Sequence, residues 1–238
     1  MKGILLAGGT GSRLGLMTKS VNKHCLGIWD RPMIFYPLQT LINAGIEDIL
    51  IVTGTEHMGT MVEILGSGSE FGADLTYRVQ DSSGGIAEAL LLAKSFANED
   101  SIAVILGDNF FEDGFGQDIE GFQAGAKVFL KRVPDPERFG IAEIVDHKIV
   151  KIVEKPVKPK SDLAVTGLYL FDWQVFDFIE EQEYSLRKEL EITDTNLRYL
   201  ETEDLEYRVL EHFWSDMGTP KTLLLTSIFI ANKNIEVK

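Results

Sequence analysis

The chain has 238 residues, 45% of them hydrophobic, enough to bury a sizeable core in one large domain. Its 23 basic and 37 acidic residues leave a net charge of −14, which argues against a general nucleic-acid surface. No stretch approaches the roughly 20 uninterrupted apolar residues of a membrane span, and Gly8, Gly9 and Gly11 interrupt the first apolar run too early for a secretory leader.

In chain order, "GILLA" (3–7) predicts a short buried strand, and "AGGTGSRL" follows it as a loop. Residues 1–31 carry Lys2, Arg13, Lys19, Lys23 and Arg31 against Asp30 alone, a cationic patch suited to a small anion on an otherwise acidic protein. The single cysteine, Cys25, has no partner within the chain, and its neighbour His24 has no second Cys/His pair at metal-ligand spacing. The expectation is an ordinary thiol in a cytoplasmic protein. A helix is expected from about Pro32 to Ala44, with Pro32 at its first position, Gly45 beyond its end and Pro37 kinking its first turns.

Strands are then predicted at 48–53, 74–79 and 102–106, with helices at about 57–65 and 85–96 between them. Repeated strand–helix–strand units imply a parallel sheet covered on both faces. After residue 125 the texture changes: "AKVFLKRV", "GIAEIV", "KIVKIVE" and "LAVTGLYLF" are strands divided by short turns, which implies mixed or antiparallel pairing. Helices return near 173–182, 193–201 and 219–233. The expected fold is one doubly wound, Rossmann-like α/β domain. A mostly parallel half occupies about 1–125, and an inserted mixed half about 126–238.

In such a sheet, ligands bind beyond the carboxyl ends of the strands. The glycine loop falls there, yet it lacks the third glycine of a dinucleotide fingerprint and the Gly-Lys-Ser/Thr of a Walker loop. Its backbone can still approach anionic oxygens closely, with the Arg13 fork beside it. The same residues could equally form a plain tight turn. Asp108 follows the 102–106 strand, and Asp216 sits in "FWSDMGT". Mg²⁺ takes one or two carboxylates plus phosphate oxygens, so these two could share one ion.

Ten segments in order resemble the sugar nucleotidyltransferases: "LLAGGTGSRL", "TKSVNKH", "RPMIFYPLQTLINAGI", "VQDSSGGIAEAL", "LGDN", "DPERFG", "EKP", "AVTGLY", "ELEITD" and "WSDMGT". They span residue 2 to about 230 and are most similar to the branch that transfers thymidylyl groups to glucose 1-phosphate. The resemblance implies a nucleotidyltransferase fold of the GT-A kind, with dTTP and glucose 1-phosphate as substrates and Mg²⁺ as cofactor. It implies a homo-oligomer, dimer or tetramer. In it the sugar phosphate attacks the α-phosphorus of the triphosphate in line and expels pyrophosphate. The nucleophile is already an anion and needs no general base.

By the same resemblance, Arg13, Lys23 and Lys155 are the catalytic cations. Leu6, Gly8, Gly9, Gly11, Ser12, Arg13, Gln80, Gly85 and Asp108 bind the nucleotide, with Gln80 reading the pyrimidine edge. Gly140, Glu154, Lys155, Val165, Thr166, Gly167, Tyr169 and Trp214 line the sugar-phosphate pocket, though Tyr169 alternates with Leu168 and Leu170 like a core residue. Asp108 and Asp216 hold the metal.

The chain departs from the family in places. The usual "KQLLP" reads "KHCLG", with His24, Cys25 and Gly27, and "RLYPLT" reads "RLGLMT". Both lie beside the triphosphate and bear on nucleotide preference and loop rigidity. Longer members continue past this chain's last residue into helices that form a regulatory nucleotide site. The expectation here is weak or differently built feedback inhibition. A uridylyl transferase, or another sugar phosphate, is the alternative, and a non-catalytic nucleotide-sugar sensor a further one. Retention of both aspartates beside Arg13, Lys23 and Lys155 weighs against the sensor.

Overall fold

A computed structural model describes residues 1–9, 11–81 and 84–236, so parts of the two glycine-bearing loops (10, 82 and 83) lie outside the described residues. The apolar runs form strands β1 (Lys2–Ala7), β2 (Gly27–Ile28), β3 (Arg31–Pro32), β4 (Asp48–Gly54), β5 (Asp74–Gln80), β6 (Ile102–Leu106) and β7 (Phe110–Phe111). They continue with β8 (Ala126–Arg132), β9 (Gly140–Val145), β10 (Lys148–Glu154), β11 (Leu163–Phe171), β12 (Leu205–Val209) and β13 (Trp214–Ser215). Helices are α1 (Phe35–Asn43), α2 (Met58–Leu65), α3 (Ile86–Leu91), α4 (Lys94–Ala97), α5 (Gly116–Gly121), α6 (Gln174–Glu180), α7 (Ile192–Glu201) and α8 (Pro220–Glu236).

The main sheet runs β10-β9-β11-β6-β1-β4-β5, with β8 added on β11 and β12 on β8. β1 pairs in parallel with β4 and β6, and β4 with β5, whereas β11 runs antiparallel to β6, β8 and β9. Successive side chains of the parallel strands enter opposite cores. Ile4, Leu6, Leu50 and Val104 pack with Ala87 and Leu90 of α3, and Leu5, Ile49, Ile51 and Ile105 pack with Leu38, Leu41 and Met61 of α1 and α2. Burial on both faces explains why these strands read as unbroken apolar runs rather than alternating ones.

β11 is where the sheet forks. Its ladder with β8 is interrupted between Val165 and Tyr169, leaving Thr166 and Gly167 free of regular pairing at the sheet's centre. Thr166 turns its hydroxyl to the Phe129 carbonyl at 2.8 Å.

Three expectations are corrected. Pro32 lies in the β2–β3 hairpin, and α1 begins only at Phe35. Pro37 then falls in the first turn, where its missing N–H has no helical partner to lose, so it causes no kink. The helix expected over 85–96 is two pieces, α3 and α4, separated at residues 92–93. The pattern did not announce β12, whose "LEYRV" carries two charges and is only partly buried.

Candidate active site

The carboxyl ends of β1, β5 and β6, the broken middle of β11 and the segment before α7 enclose one cavity of about 560 Å³. At one end it is lined by Leu6, Gly8, Gly9, Ser12, Arg13, Lys23, Gln80 and Asp108, while Gly85, also on the lining, lies against Glu189 and Leu190. At the other stand Gly140, Glu154, Lys155, Val165, Thr166, Gly167, Tyr169 and Trp214, with Asp216 also on the wall. Of the residues expected there, Gly11 alone is absent from the lining. It serves the site indirectly: its backbone is left-handed (φ 70°), and a Cβ would stand 2.9 Å from that of Lys23. Of the five cations in residues 1–31, only Arg13 and Lys23 reach the cavity, and Arg31 is tied to Asp30 at the surface.

At the first end, Lys23 Nζ donates to Asp108 Oδ2 at 2.7 Å, with both side chains largely buried. Burial by itself would raise the Asp108 pKa. The Lys23 charge and hydrogen bonds from Lys23 and Asn109 outweigh it and hold the carboxyl below its usual range. Glycines clear the space: a Cβ on Gly9 would lie 2.9 Å from Lys23 Nζ, and one on Gly8 would lie 2.5 Å from Gln80 Oε1. Gln80 Nε2 is buried with no hydrogen-bond partner among the described residues, a donor still to be matched. His24 is buried on the same wall. Its Nδ1 meets Asn22 Oδ1 at 2.8 Å, and because that oxygen also accepts from the His24 backbone, Nδ1 carries the proton. Burial first, then the Lys23 charge, push His24 well below its ordinary pKa, against the opposing pull of Asp108.

At the other end, Glu154 Oε2 accepts from Thr193 Oγ1 at 2.7 Å, and Glu154 Oε1 lies 3.0 Å from Lys155 Nζ. Lys155 is itself left-handed (φ 42°), a conformation uncommon for a residue with a side chain. Arg187 grips Glu191 through both carboxylate oxygens at 2.7 and 2.6 Å and reaches Glu154 at 3.4 Å. Gly85 admits this segment: a Cβ there would meet the Leu190 carbonyl at 2.5 Å. Tyr169 is both things expected of it, stacked on Phe171 in the core and present on the cavity wall.

Asp216 lies between two guanidinium groups, Arg138 at 2.6 Å and Arg13 at 3.5 Å. Asp108 and Asp216 are each 7% exposed, at one cavity wall. No cluster of three or more His, Cys, Asp or Glu side chains suited to a metal occurs among the described residues. The two carboxylates nonetheless fit a hard divalent cation that draws its remaining oxygens from phosphate and water.

The nucleotidyl transferase family profile matches residues 2–233. The chain belongs to this family. A glucose-1-phosphate thymidylyltransferase of Neisseria meningitidis is 43% identical over 237 residues, covering 97% of this chain and 82% of that one. A Bacillus anthracis crystal structure, provisionally described as a glucose-1-phosphate thymidylyltransferase with a bound sucrose, superposes with a TM-score of 0.93 at 51% identity, covering 96% of this chain and 94% of its own. A UDP-glucose pyrophosphorylase bound to UDP-glucose shares the fold at a TM-score of 0.84 and 23% identity, covering 98% of both chains.

Several cavity residues of this nucleotidyl transferase escaped the sequence reading. Arg138 stands inside "DPERFG", from which only Gly140 was taken, and Glu189, Glu191 and Thr193 stand in "ELEITD", from which nothing was. Arg187, two residues ahead of that segment, carried no local signal.

Proposed function

We propose that this nucleotidyl transferase moves a thymidylyl group from dTTP to glucose 1-phosphate and releases pyrophosphate. The observation that carries the reading is the arrangement of one cavity. A buried, unmatched Gln80 amide lies at one end, a Glu154–Lys155–Arg187 cluster at the other, and Lys23, Asp108, Arg13 and Asp216 stand on the walls beside them.

In this reading the Gln80 amide meets the pyrimidine edge, offering both donor and acceptor to its imide and carbonyl groups. Backbone around Gly8 and Gly9 admits the triphosphate, and Arg13 exchanges Asp216 for phosphate oxygens. Glu154 holds sugar hydroxyls, while Lys155 and Arg187 hold the sugar phosphate. A phosphate oxygen of glucose 1-phosphate forms a bond to the α-phosphorus as the bond from that phosphorus to the β-phosphate bridge oxygen breaks. Pyrophosphate takes the electron pair. Lys23 meets charge gathering on the transferred phosphoryl group, the kind of aimed cation that lowers such a barrier most. Asp108 and Asp216 would hold Mg²⁺, which when bound neutralises phosphate charge.

The test is pyrophosphate release with Mg²⁺ and glucose 1-phosphate, comparing dTTP, UTP, ATP and GTP. Release with dTTP well above the others is expected. Equal release with UTP would make this a uridylyl or dual-specificity enzyme and direct attention to His24, whose Nε2 would lie 3.2 Å from a Cβ on Gly107.

A further inference from the structure

Asn109 is 2% exposed and touches three parts of the site. Its Nδ2 donates to Asp108 Oδ1 at 3.0 Å. Its Oδ1 accepts from the Trp214 indole Nε1 at 2.8 Å and from the Gly167 backbone N–H at 3.1 Å. With Lys23 on the other carboxylate oxygen at 2.7 Å, each oxygen of Asp108 has its own donor and the group cannot rotate freely. Trp214 belongs to β13, paired with Phe111 of β7, and stands two residues before Asp216. The interrupted centre of β11 supplies the remaining partner. There a Cβ on Gly167 would fall 2.6 Å from the Asn109 carboxamide, so the glycine keeps that place clear.

The polarity of these contacts admits only an amide. One side faces a carboxylate and must donate, and the other faces two N–H groups and must accept. Aspartate would set two anions side by side, and a hydrocarbon would leave three buried polar groups unmatched.

We infer that Asn109 is a positioning residue: one buried carboxamide sets Asp108 directly and Asp216 through Trp214, fixing the two carboxylates relative to each other across the join between β6 and β11. The inference rests on the proposal that these aspartates hold the divalent ion beside the triphosphate.

The experiment measures Mn²⁺ binding by electron paramagnetic resonance in the presence of dTTP, with turnover and melting temperature alongside, for wild type, Asn109→Ser, Asn109→Asp and Trp214→Phe. Both Asn109 variants should weaken Mn²⁺ binding and lower kcat by about 10- to 100-fold, as losses behind a metal carboxylate do. Trp214→Phe keeps the ring and removes one donor, so about a three- to tenfold loss is expected.

Wild-type Mn²⁺ affinity and kcat in a folded Asn109→Ser protein would overturn the inference. So would a loss that follows melting temperature in the Asn109 variants with Trp214→Phe silent, since that marks a purely structural role. Wild type that binds Mn²⁺ with dTTP yet releases no pyrophosphate would defeat the proposed reaction alone, and the Mn²⁺ comparison would still decide Asn109. Absence of Mn²⁺ binding to wild type with dTTP would defeat both.

Discussion

On one side of the cavity, Lys23 and Asp108 meet at 2.7 Å with side chains 13% and 11% exposed. On the other, Lys155 and Arg187 approach Glu154 at 3.0 and 3.4 Å, and their own side chains are 46% and 44% exposed. The pairs are chemically alike, but their surroundings differ. The first is packed between a glycine loop and a strand end, so neither charge has water to fall back on. The second sits on loops at the cavity mouth, where water screens each partner and the cations can leave Glu154 cheaply. The Lys23–Asp108 pair is therefore fixed by its packing, whereas Lys155 and Arg187 keep cations that water leaves free to be redirected.

The sharpest break of this comparison is Lys23→Met. It should lower kcat by about 10²- to 10³-fold, the cost of removing one aimed electrostatic stabiliser. It should also cost about 3 kcal/mol of stability, the low end for breaking a buried ion pair, because Asp108 keeps its charge with only Asn109 to match it. Steady-state kinetics and urea denaturation check both. Unchanged stability would show that the pair is far better hydrated than its packing implies.

Lys155→Met and Arg187→Met should act on binding instead. Each should raise KM for glucose 1-phosphate about tenfold, the loss of one charge-assisted hydrogen bond of about 1.5 kcal/mol. Stability should move by less than about 1 kcal/mol. A stability loss equal to that of Lys23→Met would erase the distinction between the two ends.

The smallest expected effect lies at His24. Its folded-state pKa is depressed below the ordinary 6.5, so the unfolded chain takes the proton first as pH falls. The neutral, buried imidazole contributes fully above that value, and stability declines below it by up to about 1.4 kcal/mol per pH unit until the folded value is reached. His24→Gln should flatten the melting-temperature profile below about pH 6.5. An identical profile in the variant would mean that other groups set the acid limb.

The sequence by itself determined the parallel strands, the glycine loop at the first strand's end and the position of Asp108, because burial on both faces and strand termination are local patterns that a linear reading can see. Gln80 and Glu154 were named through the family resemblance alone, since on their own they read as polar ends of strands. Only the tertiary structure decided what those residues meet. Arg138 reaches Asp216 across 78 positions of chain, and Trp214 reaches Asn109 across 105. Gly11 shows the same limit at short range. Its glycine signal was plain, but the Lys23 side chain packed against it was not. Periodicity reports which face of an element is buried. Which distant charge or amide comes to rest against that face depends on how β11 forks the sheet, and no run of neighbouring residues encodes that.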